Sequence, residues 1–245
     1  AGAKQADIRF KAESNRLYGD VSKYLPDDLT SNASGVAEFV NKYRAKADTS
    51  ALQKTYAPAM EAAANLMKDV GTVVDVGCGN GRDSFFFSKS GVSCLGIDQS
   101  PEVINNNNSI CLAANVEPFF QAGDFSSFNF DSVEDNNVSI YSRFTLHAIN
   151  YEEENAFFEN INSSSKINYL FIEVRSTKDV LYGQGTKVGE HEFVSSHYRR
   201  FIVLSDLLER LNKDFEIIHS EENTGLSKTE VDDPCLIRVI AKKIR

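Results

Sequence analysis

The chain has 245 residues, 42% apolar and 25% charged, and carries a net charge of −9. At about 150 residues per domain this allows one large domain or two small ones, and the composition argues against disorder over most of the length. The acidic balance argues against a binder of nucleic-acid phosphates, which needs a basic face. No window reaches the roughly 18 apolar residues of a membrane span, and the polar start, AGAKQADIRFKAESNR, lacks the apolar stretch of a signal peptide.

Residues 1 to about 70 read as polar helices, with Phe39, Tyr43, Leu52, Tyr56, Met60, Ala63, Ala64 and Met67 at three- and four-residue spacing. This segment is expected to be a helical cap preceding a domain over 71–245. Then short apolar runs begin. Thr72–Val76 reads as a buried strand, Asp83–Ser90 as a helix carrying Phe85, Phe86 and Phe87, and Ser93–Ile97 as a second strand. Ser100-Pro101-Glu102 is a helix start, with serine as N-cap, proline in the first turn and an acid near the positive end of the dipole. Glu117–Gln121 and Asn137–Ser142 follow as strands, Tyr151–Ile161 as a helix and Ile167–Val174 as a fifth strand. Strands alternating with helices predict right-handed crossovers and a mostly parallel, doubly wound α/β sheet.

The end differs. A helix at Leu204–Leu211 precedes two strands, Phe215–His219 and Cys235–Lys243, with no helix between them, so they should pair antiparallel at the end of the sheet. Between strand five and that helix lies a long loop, about 176–200, with three glycines and aromatic anchors. Loops of this length are functional or disordered, and the anchors favour a lid.

Cys78, Cys94, Cys111 and Cys235 include no C-x-x-C pair, and His147, His191, His197 and His219 include no metal-binding spacing. Buried free thiols in a cytoplasmic protein without a metal are the expectation.

The strongest motif is Asp75-Val76-Gly77-Cys78-Gly79-Asn80-Gly81, a strand running into a glycine-rich turn that opens a helix. Glycine lets the backbone turn tightly and approach a ligand. Asp98 ends the second strand, where an acid can accept from both ribose hydroxyls. Asp124 follows strand three, where a carboxylate can accept from an adenine amino group and neighbouring Phe125 can cover the ring. A nicotinamide dehydrogenase would need G-x-G-x-x-G; the spacing here is G-x-G-x-G, with arginine at position 82.

These stations resemble the class I S-adenosylmethionine-dependent methyltransferase family over about residues 70 to 245. The resemblance implies a seven-stranded sheet with an antiparallel last strand, and S-adenosylmethionine as cofactor. It places the methionine portion over Gly77, Gly79 and Gly81, with Asp75, Cys78 and Asn80 in the same turn. The adenosine would span Asp98, Gln99 and Asp124, above Ser142 or Arg143. Tyr43 and Arg44 are candidates for the cofactor carboxylate. The SRFTLHAI stretch, the loop glycines and HYRRF are also similar to bacterial small-molecule methyltransferases suspected in surface-sugar modification; no substrate is carried over from that likeness.

Ligands of open α/β sheets bind beyond the carboxyl ends of the strands. That rule selects the segments around Arg143–His147, Glu173–Arg175 and His197–Arg200. A hydroxyl acceptor gains from a base near neutrality, for which His147 is the first candidate and His197 the second; His147 could equally pack behind the cofactor. Glu173 is a pocket acid or an internal partner of Arg175. Tyr182 and Tyr198 line the acceptor pocket or anchor the lid. Residues 175–200 hold five Lys/Arg against three acids. Arg175, Arg199 and Arg200 therefore either receive a small acceptor bearing carboxylate or phosphate, or pair with acids such as Glu173 and Glu192. The competing functional reading is a catalytically silent, cofactor-binding scaffold or partner subunit.

Overall fold

The computed structural model describes residues 71–89, 91–117, 119–228 and 232–244. The helical cap expected over 1–70, with Tyr43 and Arg44, lies outside the described residues.

The chain order is β1 (Thr72–Val76), α1 (Arg82–Lys89), β2 (Cys94–Asp98), α2 (Pro101–Ala113), β3 (Phe120–Ala122), β4 (Val138–Arg143), α3 (Tyr151–Ser163) and β5 (Ile167–Arg175). Three short strands follow, β6 (Thr186–Gly189), β7 (Glu192–Val194) and β8 (Tyr198–Arg200), then α4 (Leu204–Leu211), β9 (Phe215–Asn223) and β10 (Leu236–Lys243). Seven strands form one sheet in the order β3-β2-β1-β4-β5-β10-β9. Its first five strands are parallel; β10 runs antiparallel to both β5 and β9. The last strand thus slots between β5 and β9 and leaves β9 on the edge. Strand β9 extends four residues beyond the sequence expectation, through Ser220-Glu221-Glu222-Asn223. Polar residues suit a solvent-facing edge strand, and they hid its true length.

Each face of the sheet buries its own core. Val74, Val76, Ile140, Ile172, Val174 and Val239 meet Phe157, Phe158 and Ile161 of α3 and Leu207 and Leu211 of α4. On the other face Val73, Tyr141 and Phe171 pack with Phe87 of α1. Successive residues of β4 and β5 enter opposite cores, as the two-residue period of a strand requires.

The helix starts follow local chemistry. Ser100 caps α2 by accepting from Val103 N, with Pro101 in the first turn. Asn150 and Glu153 form a reciprocal capping box at α3.

Segment 176–200 is not the irregular loop the sequence suggested. It carries β6, β7 and β8, paired antiparallel as a small second sheet. The Tyr182 ring packs edge-on against Phe193 and Phe201, at centroid distances of 5.2 and 5.5 Å. Strands of three or four residues lack the length for periodicity to announce them.

Candidate active site

Turn 77–81 is glycine-rich for two separate reasons. Gly77 and Gly81 hold φ of +67° and +73°, which side chains rarely adopt. A Cβ would also collide with neighbours: 2.8 Å from Thr145 Cγ2 at Gly77, and 2.7 Å from Phe120 Cζ at Gly81. Thr145 is fixed there because its hydroxyl donates to Val76 O at 2.7 Å. Asn107 of α2 braces the turn from below, its Nδ2 donating to Gly79 O at 2.8 Å.

Asp98 lies where the spacing put it, at the end of β2. Its carboxylate accepts from Gly79 N at 3.0 Å and Ser100 N at 2.9 Å, which joins the glycine turn to the start of α2. Gln99 beside it is exposed, and so is Asp124, whose Oδ1 accepts from Ser126 N. Phe125 departs from expectation. Its ring is buried in the core, edge-on to Phe157 at 5.1 Å, so it does not lie over a ligand at the surface. Asp124 and Phe125 point opposite ways, and burial of the aromatic ring decides which goes inward.

A cleft at the carboxyl ends of β1 and β4 is lined by Asp75, Gly77, Cys78, Asn80, Arg82, Asp83, Arg143 and Phe144. Three of these, Arg82, Asp83 and Phe144, were not among the sequence candidates. Asp75 is buried and accepts from Ser84 Oγ at 2.6 Å. Burial first, and the neighbouring Asp83 carboxylate second, push its pKa up to about 8. Arg82 grips Asp83 with two nitrogens, at 2.8 and 3.2 Å, and the Tyr141 hydroxyl donates to the same carboxylate at 3.2 Å.

Arg143 is held by register. It stands opposite Glu173 across β4 and β5, and Arg238 stands opposite Glu173 on the other side. Glu173 accepts from Arg143 Nε at 2.7 Å and from Arg238 Nε at 2.5 Å. Arg143 also donates to Ser227 Oγ at 2.5 Å. The expected partnership of Glu173 with Arg175 is therefore corrected: the directly facing residues on adjacent strands are nearer than the next same-face residue of its own strand. Arg175 pairs instead with Asp179, at 2.9 Å, and with Asp232. Ser142, on the opposite face of β4, is buried with its hydroxyl unpartnered.

Beyond Arg143 the chain passes through Phe144, at φ +57°, into a single 3-10 turn, Leu146–Ala148. His147 is half-buried there; its Nδ1 is enclosed without a hydrogen-bond partner. Burial, followed by the charges of Arg175, Arg199, His197 and Arg200, pushes its pKa down to about 3. The ring stays neutral near pH 7 but is a weaker base than an unperturbed imidazole.

Strand β8 lies against this turn. Arg200 is buried, donates to Ile149 O at 3.1 Å and pairs with Glu154 of α3. Arg175 and Arg200 are tied to internal carboxylates; Arg199 is half-buried on β8, and its Nη1 donates to Ser195 Oγ at 3.2 Å. Tyr198 donates to Ile149 O at 3.4 Å. The Tyr182 hydroxyl bonds His191 Nδ1 at 2.8 Å, which with its ring contacts makes it an anchor of the small sheet. His197 Nδ1 lies 3.2 Å from Ser196 Oγ. Among the described residues no cluster of His, Cys, Asp or Glu could hold a metal ion, and no helix is long and apolar enough to cross a membrane.

Residues 73–167 match the family model of the methyltransferase domain. Solved structures share the fold. An S-adenosylmethionine-dependent methyltransferase from Methanosarcina mazei superposes with a TM-score of 0.62 at 16% identity, over 74% of this chain and 96% of that one. One from Clostridium acetobutylicum gives 0.58 at 12% identity, over 84% and 98%. A glycopeptide N-methyltransferase in complex with S-adenosylmethionine gives 0.54 at 14% identity, over 76% and 92%. No protein of curated function matches the sequence.

Proposed function

We propose that the chain, whose residues 73–167 match the methyltransferase-domain model, is a class I, S-adenosylmethionine-dependent methyltransferase and that it methylates a hydroxyl of a small, anionic molecule. The observation that carries the cofactor's placement is the cleft. The glycine turn and Asp98 at the strand end suit a nucleoside, and Asp75 lies in the cleft lining where its carboxyl would face the cationic tail once ionised. Gly77, Gly79 and Gly81 would pass beneath the methionine portion. Asp98 would accept from the ribose hydroxyls, Asp124 would face the adenine, and Asn80 and Gln99 would flank the ligand. Ser142 and Arg143 would form the β4 side.

Bound cofactor supplies a methyl group activated on a sulfonium. The residues of this chain orient the acceptor and exclude water, so that its lone pair lies in line with the breaking C–S bond. The acceptor would lie between the turn at Leu146–Ala148 and strand β8, where Tyr198 donates to Ile149 O and the charge of Arg199 reaches His147. The low pKa of His147 makes it an acceptor of a substrate hydroxyl's hydrogen bond in preference to a strong base. Arg199 would supply the positive side of the pocket, which supports a carboxylate or phosphate on the substrate. Four free thiols support a reducing, cytoplasmic setting.

Calorimetric titration with S-adenosylhomocysteine tests the assignment. Asp98→Ala removes charge-assisted hydrogen bonds of about 1.5–3 kcal/mol, so affinity should fall about ten- to a hundredfold. Unchanged binding in this variant, or preferential binding of NAD by the native protein, would overturn it.

A further inference from the structure

Phe144 is the bulkiest residue with positive φ among the described residues; the other non-glycine cases are Asn115 and His191. Asparagine and histidine visit this region several times more often than most residues, whereas a phenylalanine there is an outlier that surrounding structure must enforce. The enforcement is visible on both sides. Phe144 N donates to Glu173 O at 2.8 Å, and the next residue, Thr145, is tied to Val76 O. The Arg143 guanidinium lies 4.7 Å from the ring centroid, itself held by Glu173 and Ser227. The His147 ring meets it edge-on at 5.5 Å.

This conformation puts the half-buried ring in the same cleft wall as Gly77 and Asp75, between the glycine turn and the His147 turn. An apolar side chain gains nothing from facing a cleft otherwise lined largely by polar groups, Asp75, Asn80, Arg82, Asp83 and Arg143 among them. An aromatic ring does have something to offer a cation there, because its π face is electronegative. The charge on Arg143 is offset by Glu173 and Asp83, so it does not supply a free cation to this wall.

We propose that Phe144 is a specificity-determining residue that distinguishes the sulfonium of the methyl donor from the neutral thioether left after transfer. The inference rests on the cofactor reading above and deepens it. The ring adds attraction for the charged donor and none for the product, so it favours exchange of spent cofactor for fresh. No bond is made or broken by the ring.

The test is calorimetric titration of the full chain, without acceptor, with S-adenosylmethionine and separately with S-adenosylhomocysteine. Phe144→Leu should weaken the donor roughly three- to thirtyfold and change the product less than about twofold; Phe144→Tyr should keep both. Equal loss for the two ligands, or no loss for either, overturns the proposal. If the leucine variant does not fold, 4-fluoro- and 3,4,5-trifluorophenylalanine at position 144 keep the shape and drain the π face. Stepwise weakening for the donor alone is expected, and a flat series overturns the proposal. Failure of the native protein to bind either ligand would instead sink the cofactor reading itself.

Discussion

At the scale of single residues, Asp75 shows how position sets chemistry. A carboxyl at the end of a buried strand, with Asp83 beside it, holds its proton far above the usual range, to about pH 8. The unfolded chain releases that proton near pH 3.8, so this group's stabilising contribution is full below about pH 4 and is lost as pH rises through 8. Asp75→Asn should therefore gain stability relative to the native protein as pH rises across that window, by at most about 1.4 kcal/mol per unit. Urea unfolding at pH 5, 7 and 9 measures it; a difference that stays constant with pH would show that another group titrates. The same variant should bind S-adenosylmethionine more weakly at pH 9, where the native carboxylate can face the cation.

At the scale of elements, the small sheet β6-β7-β8 depends on a few tethers. Its last strand is fixed by Arg200 on Glu154, both buried, and its approach by Asp179. The Asp179 carboxylate accepts from Arg175 at 2.9 Å and from Cys235 N at 2.9 Å. Removing one partner of a buried ion pair leaves the other charge without compensation, at a cost of about 3–5 kcal/mol. In Glu154→Ala, amide exchange should accelerate across 186–200 while the amides of β1 and β4 stay protected. Uniform acceleration through the central strands would mean that the small sheet does not open as a separate unit.

At the scale of the whole molecule, one row of charges crosses four strands: Arg143 on β4, Glu173 on β5, Arg238 on β10 and Glu221 on β9, each opposite the next. It begins at the cleft beside Asp83 and ends at the exposed edge, where Arg238 and Glu221 are 3.6 Å apart. The first three side chains are buried and Glu221 is more exposed, and the energetic weight should follow that difference. Glu173→Gln leaves two buried arginines short of a carboxylate and should cost about 3 kcal/mol in urea unfolding, with weaker cofactor binding as Arg143 shifts. Glu221→Gln, at the more exposed end, should cost under about 1 kcal/mol and leave binding intact. Equal costs would show that the row does not act through burial.

What the sequence determined by itself is what short-range physics can carry. The elements from β1 to β5 were legible in local apolar runs and helix starts, Ser100-Pro101 was legible as a cap, and Asp75-Val76-Gly77-Cys78-Gly79-Asn80-Gly81 was legible as a tight glycine turn, because glycine's backbone freedom is a property of one residue. Asp98 was legible from its place at a strand end. Tertiary structure decided which charges meet. Glu173 faces Arg143 and Arg238, and Arg175 and Arg200 turn to Asp179 and Glu154, because those partners lie at least 30 positions away except for Asp179, and only strand register and helix docking bring them together. Phe125 and Phe144 make the same point in opposite directions. Two phenylalanines at strand ends look alike in sequence. One sinks into the core against Phe157, and the other is held at positive φ in the wall of the cleft by contacts that only the assembled sheet supplies.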